Sequence, residues 1–165
     1  NGTAALARLE ESLKNMNVLT NALLWLGRGE APLPDPEPVD LLRLVNSIIE
    51  DNGAMVRTNN LTVDVVQVSG ARIVQPRVLL MILCSNLIGN AIRYTRDGRV
   101  EIRLDGESIE IKNHGNQIGN KIGGSGHGLG LQLVGWVVER AGWQWDEDAG
   151  ENYHWHRIHL TASIA

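Results

Sequence analysis

The 165-residue sequence has no phenylalanine and a single cysteine. One cysteine excludes an intramolecular disulfide and any all-cysteine metal site. Cys84 lies in the apolar run Leu79-Leu80-Met81-Ile82-Leu83-Cys84 and reads as a small core residue in a reducing compartment. No apolar stretch approaches the ~18 residues of a membrane helix, and the first residues lack the layout of a signal peptide. Fifteen basic against 19 acidic residues give a formal charge of −4, so no electrostatic pull toward nucleic acid or an anionic membrane is expected. The balance that remains, 43% hydrophobic and 21% charged, is that of a folded globular chain. Aromatic bulk comes from Trp25, Trp136, Trp143, Trp145 and Trp155.

Residues 4–28 place Leu6, Leu9, Leu13, Met16, Leu19, Leu23 and Leu26 at spacings of three and four, which predicts a long helix with one apolar stripe. Pro32, Pro34, Pro36 and Pro38 then make a stiff, extended linker over 31–38. This is the clearest domain boundary, leaving a first segment over 1–30 and a domain over 39–165. A lone helix cannot bury its own stripe, so it either docks on the following domain or joins a helical bundle. Asp40 is placed to N-cap a helix running to about Arg57. Leu61–Val68 is rich in β-branched residues and predicts a strand. Pro76 opens a helix to about Tyr94. Residues 100–104 and 108–112 alternate around Asp105-Gly106 as a hairpin. A glycine-rich loop, a helix over about 129–141 and strands at 143–146 and 154–160 complete the pattern. Helices mixed with antiparallel strands predict an α+β sandwich with its helices on one face, preceded by one long helix.

Two groups of residues carry the chemistry. Asn86, Asn90 and Arg93, spaced i, i+4, i+7, share one face of the helix from Pro76 and flank an apolar stripe of Leu80, Leu83, Leu87 and Ala91. The two asparagines could simply cap neighbouring loops. Two amide oxygens and a guanidinium on one face also suit a hydrated magnesium ion and a phosphate chain. The second group is Gly115–Gly130, with seven glycines in the stretch. Such a backbone can approach a ligand closely, and it feeds a helix start, where free amides favour an anion. It is not a Walker loop, since no Gly-Lys-Ser/Thr follows, and it does not fit a Rossmann fingerprint.

Together these segments resemble the ATP-binding domain of sensor histidine kinases, in the superfamily that includes gyrase and MutL. Asn86-Leu-Ile-Gly-Asn90-Ala-Ile-Arg93-Tyr94-Thr95 resembles the family's N box, and Gly126-His127-Gly128-Leu129-Gly130-Leu131 its G2 box. Asn113-His114-Gly115-Asn116-Gln117 stands where the G1 box, Asp-x-Gly-x-Gly, is expected. The likeness covers about 39–165, and residues 1–30 are similar to the second helix of the family's dimerisation and phosphotransfer hairpin. The resemblance implies a two-layer, Bergerat-type fold that binds ATP and Mg²⁺. It makes Asn90 the metal ligand, with Asn86 supporting metal and phosphates and Arg93 contacting the phosphate chain. Tyr94, Asn113, Gly115, Ile118, Gly126, His127, Gly128, Leu129 and Gly130 are implied as further nucleotide-binding positions. The relatives that hydrolyse ATP carry a glutamate at the position of Asn86. An amide cannot accept water's proton, so the expectation is phosphoryl transfer to a histidine rather than rapid hydrolysis. The implied partners are a second copy, through the N-terminal helix, and a response regulator. The implied location is cytoplasmic, with any membrane attachment made by segments outside this sequence.

The sequence departs from the family in three places. Asn113 replaces the G1 aspartate and Gln117 its second glycine. Without phenylalanine there is no recognisable F box, so a short lid over the nucleotide is expected. No histidine lies in the N-terminal helix, so the first hairpin helix and its phosphoacceptor are expected outside this sequence. The histidines are His114, His127, His154, His156 and His159. On a strand, His154 and His156 share a face while His159 points away, so packed strand-face histidines are favoured over a metal site. The rival reading is a degenerate, non-catalytic dimerisation or protein-binding module, favoured by Asn113 and Gln117. A serine kinase of the anti-sigma type shares the pocket but has no use for the long helix.

Overall fold

Apolar residues three and four apart make a helix of the first segment: α1 spans Gly2–Gly27 and leaves Leu6, Leu9, Leu13 and Met16 each more than half exposed. The computed structural model describes residues 2–27, 32–70, 72–118 and 129–160, and the chain divides into the units Asn1–Leu33 and Pro34–Ala165. Among the described residues no helix is long and apolar enough to cross a membrane.

The second unit opens with strand β1 (Glu37–Asp40), which takes up the end of the proline-rich stretch. Asp40 then caps α2 (Leu41–Asp51) as expected, its Oδ1 accepting from the Arg43 backbone N–H at 3.1 Å. The helix expected to reach Arg57 is interrupted at Asn52, and α3 (Gly53–Thr58) restarts it. The Asn52 amide donates to the Ile48 carbonyl at 2.8 Å, a side chain competing with the backbone ladder. Strand β2 (Leu61–Gln67) and helix α4 (Arg77–Tyr94) lie where the pattern predicts them. The short strand β3 (Arg72–Gln75) between them pairs antiparallel with β1. These two four-residue strands were not legible in the sequence, being too short for a visible alternation.

Strands β4 (Thr95–Leu104), β5 (Ser108–Ile118), β6 (Gln144–Ala149) and β7 (Tyr153–His159) join β2 in a five-stranded sheet of order β2-β4-β5-β7-β6, with α5 (Leu129–Ala141) between β5 and β6 in the chain. Only β2–β4 is parallel; the other pairs in this sheet are antiparallel. The glycine-rich segment expected to be loop from Gly115 begins as strand, since β5 continues to Ile118 against β4. The hairpin between β4 and β5 is not a two-residue turn with glycine in the left-handed region. Asp105 closes it instead: Oδ1 accepts from the Glu107 and Ser108 backbone N–H groups and Oδ2 from the Ser108 hydroxyl.

The sheet has a buried face and an open one. Val100, Ile102, Leu104, Ile109, Ile111 and Ile158 are buried with Leu80, Leu83, Leu87 and Ile88 of α4 and Leu133, Val134 and Val137 of α5. Each large aliphatic side chain buried this way stabilises the fold by about 1.5–3 kcal/mol. The open face is charged, with Arg99 bridging Asp64 at 3.2 Å and Glu101 at 3.7 Å, and Arg157 meeting Glu110 at 3.5 Å. A sheet with its helices on one face is the two-layer α/β sandwich that the sequence implies.

Candidate nucleotide site

Helix α4 buries Leu79, Leu80, Ile82, Leu83, Cys84, Leu87, Ile88, Ala91 and Ile92, which fixes its rotation about its own axis. Asn86 and Asn90, one turn apart, are left half-buried on the flank. The Asn86 Nδ2 donates to the Ile82 carbonyl at 2.7 Å, which turns its Oδ1 outward from the helix. That oxygen faces the first turn of α5. A Cβ on Gly130 would stand 2.7 Å from Asn86 Oδ1 and 3.7 Å from Asn90 Nδ2. The structure thus brings Asn86 and Asn90 together with Gly130, where any added side chain would have to displace the Asn86 oxygen. Amide oxygens beside a helix start are hard oxygen ligands next to an anion-favouring dipole, a donor set that fits Mg²⁺ and phosphate.

Asn113 is 3% exposed in β5 and donates through Nδ2 to the Thr95 hydroxyl at 2.8 Å. Thr95 directly follows α4, so this bond ties Asn113 to the C-terminal end of that helix. It also commits one of the two amide N–H groups to the protein, so Oδ1 and the second N–H remain. Thr95 closes the sequence run that begins at Asn86, but nothing in its spacing signals that it would orient Asn113. Gly115 has a packing cause: a Cβ there would lie 2.6 Å from the Arg96 carbonyl oxygen and 2.9 Å from Thr95 Cγ2. Arg93 and Tyr94 lie exposed in the last turn of α4, where Asn59 Nδ2 donates to the Ile92 carbonyl at 2.7 Å and the Arg93 carbonyl at 3.4 Å. Ile118 pairs with Thr95 in the β4–β5 ladder, and Leu129 opens α5. The side chains of Gln117, Ile118 and Leu129, and all of Gly126, His127 and Gly128, lie outside the described residues.

Burial pushes the Cys84 thiol up to about 12, which makes it an inert core group. Burial also holds His154 below its ordinary value. It holds His156 down to about 3, with the neighbouring His154 adding to the effect. Both are neutral imidazoles on the buried sheet face, and Asn113 stands opposite His154 across the β5–β7 ladder. His114 and His159 belong to the open face, against Glu101 at 3.1 Å and Asp146 at 3.4 Å.

A family model described as histidine kinase-, DNA gyrase B-, and HSP90-like ATPase matches residues 75–160. The cytoplasmic segment of the histidine kinase QseC is 19% identical, with a TM-score of 0.68 over 90% of this chain and 94% of that one. The Acinetobacter baumannii histidine kinase AdeS is 16% identical, with a TM-score of 0.71 over 98% of this chain and 83% of that one. Full-length ShkA, solved in complex with AMPPNP, is 18% identical, with a TM-score of 0.63 over 98% of this chain and 40% of that one. No curated protein matches in sequence at a significant level. The structural likenesses give the fold of histidine kinase catalytic domains. The matched segment runs from the strand before α4 to the end of β7 and holds Asn86, Asn90, Asn113 and Gly130 together. The chain belongs to the histidine kinase-, DNA gyrase B- and HSP90-like ATPase family, and its sheet-and-helix unit is an ATP-binding domain of that family.

Proposed function

We propose that this chain binds Mg-ATP and transfers the γ-phosphate to a histidine outside this sequence, for relay to a response regulator. The observation that carries the reading is the placement of Asn86 Oδ1 and Asn90 over Gly130 at the start of α5. Bound Mg²⁺ supplies charge neutralisation of the phosphates. Asn90 and Asn86 offer the amide oxygens to hold it, the free backbone N–H groups of the first turn of α5 receive phosphate oxygens, and Asn113 Oδ1 receives the exocyclic amine of adenine. In the transfer, the acceptor imidazole nitrogen forms the new P–N bond while the P–O bond to ADP breaks, and the N–H proton passes to solvent. Asn86 has no proton-accepting group for water, so hydrolysis is slow beside transfer.

No histidine occurs within α1. Among the described histidines, two are buried and two face carboxylates on the open sheet face. None is offered as a phosphoacceptor. The apolar stripe of α1 suits pairing with a second copy, and a cytoplasmic location follows from the same reading. ShkA, of the same fold, was solved with AMPPNP, which supports an adenine nucleotide here.

Calorimetry with ATP, with and without Mg²⁺, is the primary test. Magnesium-dependent binding is expected, and its absence at millimolar nucleotide overturns the reading. With γ-labelled ATP the chain alone should form no acid-labile phosphate, and should label a chain that carries the first hairpin helix. The replacement of the family's aspartate by Asn113 favours a second reading, a non-catalytic module. Nucleotide binding without any transfer to such an acceptor chain would select it.

A further inference from the structure

His154 and His156, two residues apart on β7, both face the buried side of the sheet, at 8% and 6% exposure. The spacing alone sets a metal aside, because the third histidine, His159, belongs to the opposite face. The structure supplies a different third group. In the β6–β7 ladder Glu147 stands directly opposite His156, its Oε2 3.8 Å from His156 Nδ1. The two imidazole centroids are 4.3 Å apart. One nitrogen from each ring and one Glu147 oxygen lie within 4.8 Å of one another.

We propose that Glu147, His154 and His156 form a site for a divalent transition ion of the zinc class, with the fourth position open to water or another ligand. Two imidazoles and a carboxylate are a donor set that suits zinc, whereas magnesium prefers oxygen ligands throughout. In a tetrahedral site with bonds of about 2.1 Å the ligand atoms stand roughly 3.4 Å apart, so the three groups must close by about an ångström. Glu147 is exposed on β6 and free to make that movement. No sequence spacing announces the site, because Glu147 meets His156 only through cross-strand register.

Trp145 reports on occupancy. Its indole N–H donates to His156 Nδ1 at 3.2 Å. A neutral imidazole holds one proton, so an ion on Nδ1 takes that lone pair, and an ion on Nε2 leaves the proton on Nδ1. In either arrangement Nδ1 no longer accepts from the indole. Metal binding therefore breaks the Trp145–His156 hydrogen bond.

The test uses the full chain without nucleotide, so its outcome is separate from that of the ATP reading. Co²⁺ is titrated and its visible absorption followed, then Zn²⁺ affinity is measured by competition with a chromophoric chelator. The expected results are the intense absorption of four-coordinate Co²⁺ and a tryptophan emission change lost in Trp145→Phe. Zinc affinity should fall at least ~tenfold in both Glu147→Gln and His154→Ala. His159→Ala should bind as wild type does. Glu147→Gln alters an exposed side chain and preserves the fold. Absence of Co²⁺ and Zn²⁺ binding at millimolar metal, or wild-type affinity in either ligand variant, overturns the site.

Discussion

The side-chain oxygen of Asn86 occupies the space that a methyl group on Gly130 would need, 2.7 Å from the Cβ position. Gly130→Ala therefore displaces the end of a flexible side chain rather than backbone. The fold should survive, with circular dichroism unchanged, while Mg-ATP affinity falls by about tenfold or more, comparable to a lost charge-assisted hydrogen bond. Wild-type affinity in calorimetry would refute the aim of Asn86 at the phosphates.

Asn90 lies half-buried on the flank of α4. Asn90→Ala removes an oxygen ligand and leaves the apolar side of the helix intact. Stability without nucleotide should stay within about 0.5 kcal/mol of wild type, while magnesium-dependent binding collapses. A thermal melt with and without Mg-ATP measures both. A variant still shifted upward by Mg-ATP as far as wild type would remove Asn90 from the site.

Asn113 tests base recognition. With one N–H on Thr95, the amide offers adenine a neutral acceptor through Oδ1 and keeps a second N–H that the O6 of guanine can accept from. Asn113→Asp replaces the neutral acceptor with a charged one while the Thr95 hydroxyl turns to donate. ATP binding should tighten about five- to tenfold, and GTP, whose O6 is an acceptor, should be rejected. Unchanged ATP and GTP dissociation constants would show that residue 113 does not touch the base.

The exposed Leu6, Leu9, Leu13 and Met16 of α1 present several leucine-sized apolar surfaces, at about 25 cal/mol per Å² once covered. Light scattering should report self-association that Leu13→Lys weakens. A monomer at all concentrations, indifferent to that substitution, argues against pairing through α1.

Asp105 gives the acid dependence. Burial raises its carboxyl, but hydrogen bonds from Glu107 and Ser108 and the nearby Arg157 charge win, leaving it below its ordinary value. A carboxylate depressed in the folded state stabilises fully above its unfolded value and loses that contribution as pH falls through its folded value. Asp105→Ala should cost about 1 kcal/mol at neutral pH, and the difference from wild type in urea melts should shrink below pH 4. A gap of constant size down to pH 2 would mean the turn does not depend on the charge.

Helix and strand types were legible wherever periodicity ran long: α1, α4, α5 and the alternation of β4 and β5. Two kinds of feature were not. Asn52 interrupts a helix by bonding back to Ile48, a local choice that apolar spacing does not display. The other kind depends on register. Asn86 and Asn90 could be placed on one face from their spacing, but their approach to Gly130, the bond from Asn113 to Thr95, and Glu147 opposite His156 all require the sheet to be assembled first.

The parallel pairing of β2 with β4, Leu61 against Gly98 through Gln67 against Leu104, joins segments separated in the chain by β3 and the whole of α4. The β4–β5 hairpin closes locally over Asp105, whereas β2 can dock only after a long loop has been closed at an entropic cost. An order of assembly is thereby built into the topology. The local β4–β5 pairing precedes the long-range one, and in pulse-labelled hydrogen exchange during refolding the amides of β2 gain protection after those that join β4 to β5.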